Sequence, residues 1–138
     1  MAERHVLDTS AILAFTDGEE GSEEIESLLE AGKKGSCQLL VCSISLMELY
    51  YVTLREKGED EAARIIALVK SWPVKWVYPD EKTLLQAGRL KASSQLSLAD
   101  ALIAAVAKLH KARLVHKDPE FNTLAKIQLF PLPFKSKS

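Results

Sequence analysis

Cysteine is scarce in this 138-residue sequence, which contains only Cys37 and Cys42. Two residues five positions apart point to opposite faces if both belong to one strand, which argues against a disulfide between them. Their spacing also matches no zinc-binding pattern. We interpret both cysteines as packing residues.

Long apolar runs are also missing. No run approaches the roughly 20 residues of a membrane span, and residues 1–4 lack the apolar core of a signal peptide. We therefore expect a cytoplasmic protein without a membrane segment. An apolar fraction of 47% and a charged fraction of 27% are typical of a globular protein. We predict a single domain over residues 1–134, followed by a loose tail at 135–138.

The sequence has no excess of positive charge. It contains 18 lysines and arginines against 19 aspartates and glutamates, for a net charge of −1. Proteins that hold nucleic acid by electrostatics alone are usually basic. Any contact with RNA or DNA must therefore be local or mediated by a metal ion.

Short apolar runs alternate with segments of helical periodicity along the whole chain. The run at 38–42 is apolar almost without alternation, as is typical of a strand in a parallel sheet. We predict strands at 4–7, 38–42, 74–78, 113–116 and 127–130, and helices at about 8–15, 22–32, 45–57, 59–71, 80–92 and 98–110. A short helical turn is predicted to start at Asp118. This alternation indicates an α/β fold, a three-layer α/β/α sandwich around a central parallel sheet of about five strands.

Four acidic residues stand where predicted helices begin: Asp8, Glu48, Asp100 and Asp118. Ligands of open parallel sheets bind outside the carboxyl ends of the strands, where helices start. Carboxylates gathered there would repel one another unless a cation lay among them. The pattern therefore favours a metal-dependent catalyst.

Each acid also has a structural explanation as a helix cap, which would contribute on the order of 1 kcal/mol. The capping assignments are Asp8 for its own helix, Ser45 with Glu48, Ser97 with Asp100, and Asp118 ahead of Pro119. Two features favour the metal site. The helix of Asp100 is nearly apolar, and Glu48 lies at the margin of a buried stripe, where an unpaired carboxylate is costly. Arg55 lies on the same margin and is the alternative partner for Glu48.

Four segments that carry these acids together resemble the four motifs of the PIN-domain ribonucleases, and their order and spacing are similar to those of VapC-type toxins. The segments are 6–13 (VLDTSAIL), 45–49 (SLMEL), 98–105 (LADALIAA) and 114–121 (LVHKDPEF). The resemblance covers essentially the whole chain. It implies a parallel sheet of about five strands sandwiched by helices, with an acidic cleft that binds Mg²⁺ or Mn²⁺.

The resemblance also implies roles for individual residues. Asp8, Glu48, Asp100 and Asp118 take the family's four acidic positions, and Glu120 stands where many members have a further acidic ligand. Ser10 matches the small hydroxyl residue after the first acid. His116 is a departure, because the family usually has threonine or serine there. His116 can donate to the cluster as an auxiliary residue, or it can point elsewhere.

The implied activity is hydrolysis of RNA phosphodiesters by a metal-dependent endoribonuclease, the toxin of a toxin–antitoxin pair. Asp8, Asp100 and Asp118 would hold the metal directly or through water, and Glu48 would be a ligand or would orient the nucleophile. An antitoxin is the implied partner. The apolar surface formed by Tyr50, Tyr51 and Leu54 predicts a homodimer interface or, alternatively, a groove for an amphipathic segment of a partner, which the resemblance implies is the antitoxin.

Two other functions are compatible with the sequence. A non-catalytic PIN-like binding module would keep the acids only as caps. A phosphoryl-accepting receiver-like domain would use Asp80 as the acceptor, but Thr9 and Ser10 stand where its second acid is needed. The intact set of four acids favours the enzyme.

Overall fold

A five-stranded parallel sheet forms the centre of the computed structural model, which describes residues 3–117, 121 and 129–133. The strands are β1 (Glu3–Leu7), β2 (Cys37–Cys42), β3 (Val74–Val77), β4 (Arg113–His116) and β5 (Leu129–Pro131). Their order is β3-β2-β1-β4-β5, and all neighbours run parallel. The predicted parallel sheet is confirmed.

Helices cover both faces of this sheet. Within the described residues they are α1 (Thr9–Thr16), α2 (Ser22–Lys34), α3 (Ile44–Lys57), α4 (Glu59–Lys70), α5 (Glu81–Ala92) and α6 (Leu98–Leu109). Helices α5 and α6 share one apolar core with the sheet, and α1 to α4 share the other. The three-layer α/β/α sandwich is therefore confirmed. No helix in the described residues is long and apolar enough to cross a membrane.

Alternation along the central strands divides the sheet between these two cores. Val6 of β1 is in register with Leu40 and Leu114, and all three pack on the α6 side. Leu7 and Val115 are also in register and pack on the opposite side. Because side chains of a strand point alternately to opposite faces, the two cores require strands that are apolar at successive positions.

Helix α6 lies deep in its core, as its composition predicts. Its buried residues include Ala101, Ala104, Ala105 and Ala107, and none of these is more than 1% exposed. Small side chains let a helix backbone approach the sheet closely. This close packing fixes the start of α6 relative to β1 and β4.

The sheet changes winding direction between β1 and β4. From β1 the chain proceeds outward through β2 to β3, and it then crosses back to β4 on the other side of β1. Such a switch point opens a crevice at the carboxyl ends of the strands, where ligands of open α/β sheets bind. The amide of Asp8 donates to the carbonyl of Val115 at 2.9 Å, so Asp8 lies at this crevice.

Several local predictions need correction. Helix α3 begins at Ile44 with Ser43 as its N-cap residue, so the assignment of Ser45 as the cap was wrong. The last strand was predicted to end at residue 130, but Pro131 is part of β5, which is tolerated because β5 lies at the edge of the sheet. The predictions for 118–119, 127–128 and the tail at 135–138 lie outside the described residues.

Two helical glycines allow a matched test of the packing between α2 and β2. A Cβ atom added to Gly32 would lie 2.9 Å from Cδ1 and 3.2 Å from Cγ of the buried Leu39, whereas one added to Gly88 would meet nothing within 4 Å. We expect Gly88→Ala to raise the free energy of unfolding by about 0.5–1 kcal/mol. We expect Gly32→Ala to be less stable than Gly88→Ala by at least about 1 kcal/mol, because overpacking outweighs the gain in helix propensity. Urea unfolding measures both, and equal stabilisation by the two alanines would contradict the tight α2–β2 contact.

Candidate active site at the carboxyl ends of the strands

Asp8 connects β1 to α1 and is only 2% exposed. Its Oδ2 accepts a hydrogen bond from the Ser10 backbone amide at 3.0 Å and a second one from the Ser10 hydroxyl. Asp8 therefore caps α1, as its position predicts. Its other oxygen, Oδ1, is buried and has no hydrogen-bond partner among the described residues. A cap uses one oxygen, so capping does not account for the second.

The surroundings of Asp8 favour the neutral carboxyl group. Burial raises its pKa to about 7, and the hydrogen bonds from Ser10 oppose that rise. The negative charges of Asp100 and Glu48 also contribute to this raised value. The three acids therefore lie within electrostatic reach of one another, although they come from three distant segments of the chain.

Glu48 lies in the first half of α3 and is tied to the β1–α1 corner. The Thr9 hydroxyl donates to Glu48 Oε1 at 2.7 Å, and Thr9 Oγ1 also lies 2.8 Å from Ser45 Oγ. Arg55, the alternative partner predicted for Glu48, instead lies over the ring of Tyr51 at 5.2 Å from its centroid. Thr9 and Ser45 were not predicted to belong to the site. The available signal was a hydroxyl residue beside the first acid and another three residues before the second.

Asp100 lies in the first turn of α6 and is half-buried. Its backbone amide donates to the hydroxyl of Ser97, the N-cap residue, at 3.1 Å. The predicted cap at Ser97 is therefore present. The carboxylate of Asp100 acts electrostatically on Asp8, so capping does not remove Asp100 from the acidic group.

Ser10 joins the ends of β1 and β4. Its hydroxyl donates to Asp8 and accepts from the backbone amide of Lys117 at 2.9 Å. The Lys117 ammonium donates to the Glu20 carbonyl at 2.8 Å and lies 3.6 Å from the Glu19 carboxylate. The Lys117 side chain thus holds the segment between α1 and α2 against the end of β4.

His116 is completely buried at the end of β4. Its ring packs edge-on against Phe121 with 5.2 Å between ring centroids, and Phe121 belongs to the core on the α6 side. A packing role therefore accounts for part of what His116 does at this position. Asp118 and Glu120, the fourth acid and the auxiliary ligand of the prediction, lie outside the described residues.

The acidic side chains near Asp8 suit a divalent cation in their chemistry, although the described residues do not form a complete metal site. In residues 3–117, 121 and 129–133, no three histidine, cysteine or acidic side chains are grouped closely enough to hold a metal ion by themselves. The donor chemistry nevertheless fits Mg²⁺ or Mn²⁺, because these ions prefer carboxylate oxygens, and Mg²⁺ usually keeps several waters and uses one or two carboxylates. Asp8 Oδ1, which has no hydrogen-bond partner within the described part of the chain, is the atom best suited to bind such an ion.

The strand order excludes a receiver-like phosphoryl acceptor. Folds of that type have the order 2-1-3-4-5, which places the third strand beside the first. Here β2 separates β1 from β3. Asp80, the proposed acceptor, caps α5 by accepting from the backbone amide and the hydroxyl of Thr83. The charge of Asp80 acts on His110, which follows the last turn of α6, whereas the acid that acts on Asp8, Asp100, lies in the first turn of α6. Asp80 is therefore remote from Asp8.

Comparison with known proteins gives a family and a fold. Residues 5–127 match the family model described as PIN domain. No curated protein sequence matches the chain significantly. Among solved structures, VapBC2 from Rickettsia felis, bound to a DNA fragment from its promoter, has a TM-score of 0.76 at 19% identity and covers 94% of this chain and 99% of its own.

Two further structures have the same fold. DNA-bound VapBC from Salmonella typhimurium has a TM-score of 0.74 at 20% identity and covers 95% of this chain and 98% of its own. VapC20 from Mycobacterium tuberculosis is described as a sarcin–ricin loop cleaving toxin. It has a TM-score of 0.70 at 18% identity and covers 94% of this chain and 99% of its own. At these identities the likeness concerns the fold alone.

The raised pKa of Asp8 predicts a stability that falls as pH rises. The ordinary pKa of an aspartate, 3.8, applies to the unfolded chain, whereas the pKa of Asp8 in the folded protein is about 7. Between these two pH values the folded protein keeps the proton of Asp8 and the unfolded chain has lost it. Stability without metal should therefore fall across this range by up to about 1.4 kcal/mol per pH unit. Asp8→Asn cannot ionise, so its melting temperature in chelator should exceed that of the wild type at pH 8, and the difference should shrink toward pH 4.

Asp80→Asn is the matched control, since Asp80 is also an N-cap residue. Hydrogen bonds from Thr83 lower its pKa, so its charge stabilises the fold at neutral pH and does so less as pH falls below its ordinary value. This variant should not gain stability at pH 8. A melting temperature of Asp8→Asn that lies below that of the wild type by the same amount at every pH would contradict the burial of a charged carboxylate at this position.

Proposed function

The chain belongs to the PIN-domain family, and on that premise we propose that it is a divalent-metal-dependent endoribonuclease and the toxin of a toxin–antitoxin pair. One observation carries the proposal. Asp8 is buried at the switch point of a parallel sheet, has an oxygen without a partner in the described residues, and lies in the field of two further acids. A helix cap needs none of these properties, whereas a free donor oxygen with further acids nearby suits a metal site.

The proposed ligands are Asp8, Asp100 and Asp118, with Glu120 as an auxiliary ligand. Glu48 either completes this set or orients the attacking water. A bound Mg²⁺ or Mn²⁺ would supply a more acidic water and would stabilise negative charge on the phosphate. Electrostatic reach among Asp8, Glu48 and Asp100 supports this assignment.

The protein's own contribution is positional. Ser10 holds one oxygen of Asp8 and leaves the other without a hydrogen bond from the described residues. The contact between Ser10 and the Lys117 amide fixes the end of β4, directly before Asp118, against the start of α1. We assign His116 a supporting role, since its buried ring at the end of β4 packs against Phe121 of the core on the α6 side.

RNA is the proposed substrate in spite of the net charge of −1. A metal ion in the crevice supplies positive charge where a phosphate must bind, so an overall basic surface is unnecessary. The fold neighbour VapC20 is described as cleaving the sarcin–ricin loop, which supports a cleavage reaction for this fold.

An apolar surface on α3 supports a protein partner. Four apolar side chains on the helix that carries Glu48 are 38–56% exposed, namely Met47, Tyr50, Tyr51 and Leu54. Two of the fold neighbours are VapBC proteins bound to DNA, and a third, VapBC-5 from Mycobacterium tuberculosis, is described as a member of the VapBC family of toxin–antitoxin systems. We assign this surface to the homodimer, and we propose an antitoxin as the second partner.

The double substitution Tyr50→Ser and Leu54→Ser should convert the dimer to a monomer, because it removes apolar area at the centre of the α3 surface. Sedimentation velocity measures the change. Leu85→Ser on α5 is the control, since Leu85 is 66% exposed on another helix. A monomeric wild type, or a dimer that survives the double substitution, would rule out this interface.

Asp8→Asn should reduce Mn²⁺-dependent RNA cleavage by about 100-fold or more, because it removes a ligand charge while keeping the cap. Mn²⁺ should raise the melting temperature of the wild type at pH 8 but not that of this variant. Asp80→Asn should change both quantities little. Full activity of Asp8→Asn would defeat the assignment. A wild type with neither cleavage nor a Mn²⁺ shift would instead indicate a non-catalytic module with the acids as caps.

A further inference from the structure

A pair of buried hydroxyl groups lies directly behind Glu48. Thr9 is 7% exposed and Ser45 is completely buried. Thr9 Oγ1 lies 2.7 Å from Glu48 Oε1 and 2.8 Å from Ser45 Oγ. These contacts span 36 and 39 positions of sequence, so they connect α1 to α3 and are not local turns.

The protons of this group can be assigned by counting. A hydroxyl has one hydrogen, and an ionised carboxylate can only accept. When Thr9 donates to Glu48, its contact with Ser45 requires Ser45 to be the donor. The result is a one-way chain from Ser45 to Thr9 to Glu48, in which each bond polarises the next and the last is charge-assisted.

Helix capping does not explain the chain. Ser43 is the N-cap residue of α3, and Ser45 lies inside the helix with its side chain turned toward α1. Thr9 is likewise the first residue of α1, and Asp8 is the residue that caps that helix. Both hydroxyls therefore make tertiary contacts that end on one carboxylate oxygen.

The hydrogen-bonded chain restricts the orientation of the Glu48 carboxylate. A glutamate side chain has several rotatable bonds, and fixing them costs conformational entropy. A bond to Oε1 fixes the carboxylate in advance and leaves Oε2 available to a metal or a water. Groups that orient a ligand in this way affect metal affinity or activity by about 10- to 100-fold.

We propose that Thr9 and Ser45 are positioning residues that orient Glu48 for its work at the candidate site. This inference rests on the proposed nuclease function and adds two residues to it. Neither hydroxyl contacts substrate or metal in this proposal, because both act through Glu48.

The test compares Thr9→Val, which removes the hydroxyl at nearly constant shape, with Thr9→Ser, which keeps it. Thr9→Val should lower kcat for Mn²⁺-dependent RNA cleavage by about 10- to 100-fold and change KM less than about twofold. Thr9→Ser should restore kcat to within about threefold of the wild type. Ser45→Ala probes the same chain without an apolar group beside the carboxylate, and it should lower kcat less than Thr9→Val does.

A measurement without RNA separates positioning from general damage. Mn²⁺ affinity, read by electron paramagnetic resonance, should fall in Thr9→Val. In a Glu48→Ala background the same substitution should change the affinity by less than about twofold, since there is no carboxylate left to orient. Equal effects in both backgrounds would show that Thr9 does not act through Glu48.

The two proposals fail in different ways. A wild type that cleaves no RNA overturns the nuclease assignment and the positioning role with it. An active wild type with an equally active, folded Thr9→Val variant overturns only the positioning role. Should Thr9→Val not fold, the kcat of Ser45→Ala decides, and a value equal to that of the wild type counts against the proposal.

Discussion

The burial of the Asp8 carboxylate is the constraint on which the rest of this site depends. A charged carboxylate away from water is costly unless hydrogen bonds or an ion compensate it. Ser10 compensates one oxygen, and the other has no partner among the described residues. Burial raises the pKa of Asp8 to about 7, and the negative charges of Asp100 and Glu48 contribute to that rise.

The topology of the sheet imposes this cost. Val6 and Leu7 place β1 at the centre of the sheet, with a core on either face, and its continuation delivers Asp8 to the crevice between β1 and β4. The close packing of α6, through alanines such as Ala101 and Ala104, brings Asp100 to the same crevice. The packing of the apolar core therefore determines where the acids meet, and interactions of the acids themselves contribute little to their position.

Much of this arrangement could be predicted from the sequence, because hydrophobic periodicity and the rules of parallel sheets act over whole elements. The strands, the layers and the capping roles of Asp8 and Ser97 all followed from such patterns. The hydrogen bonds that lead from Ser45 through Thr9 to Glu48 could not be predicted from the sequence. Ser45 with Glu48 and Ser97 with Asp100 have the same local spacing, but α3 begins at Ile44, which turns the Ser45 side chain toward α1. A difference of that kind depends on tertiary packing, which a local pattern does not contain.

The chemical nature of the groups around the acids has a further consequence. Within the described residues, hydroxyls and backbone amides, and no lysine or arginine, contact the carboxylates of Asp8 and Glu48. Lys57 and Lys117 pair with Asp17 and Glu19 instead. A salt bridge would neutralise an acid and make a cation redundant, whereas a neutral hydroxyl fixes the geometry and leaves the negative charge in place. A site organised in this way keeps its electrostatic attraction for a divalent ion, at the expense of stability when no ion is bound.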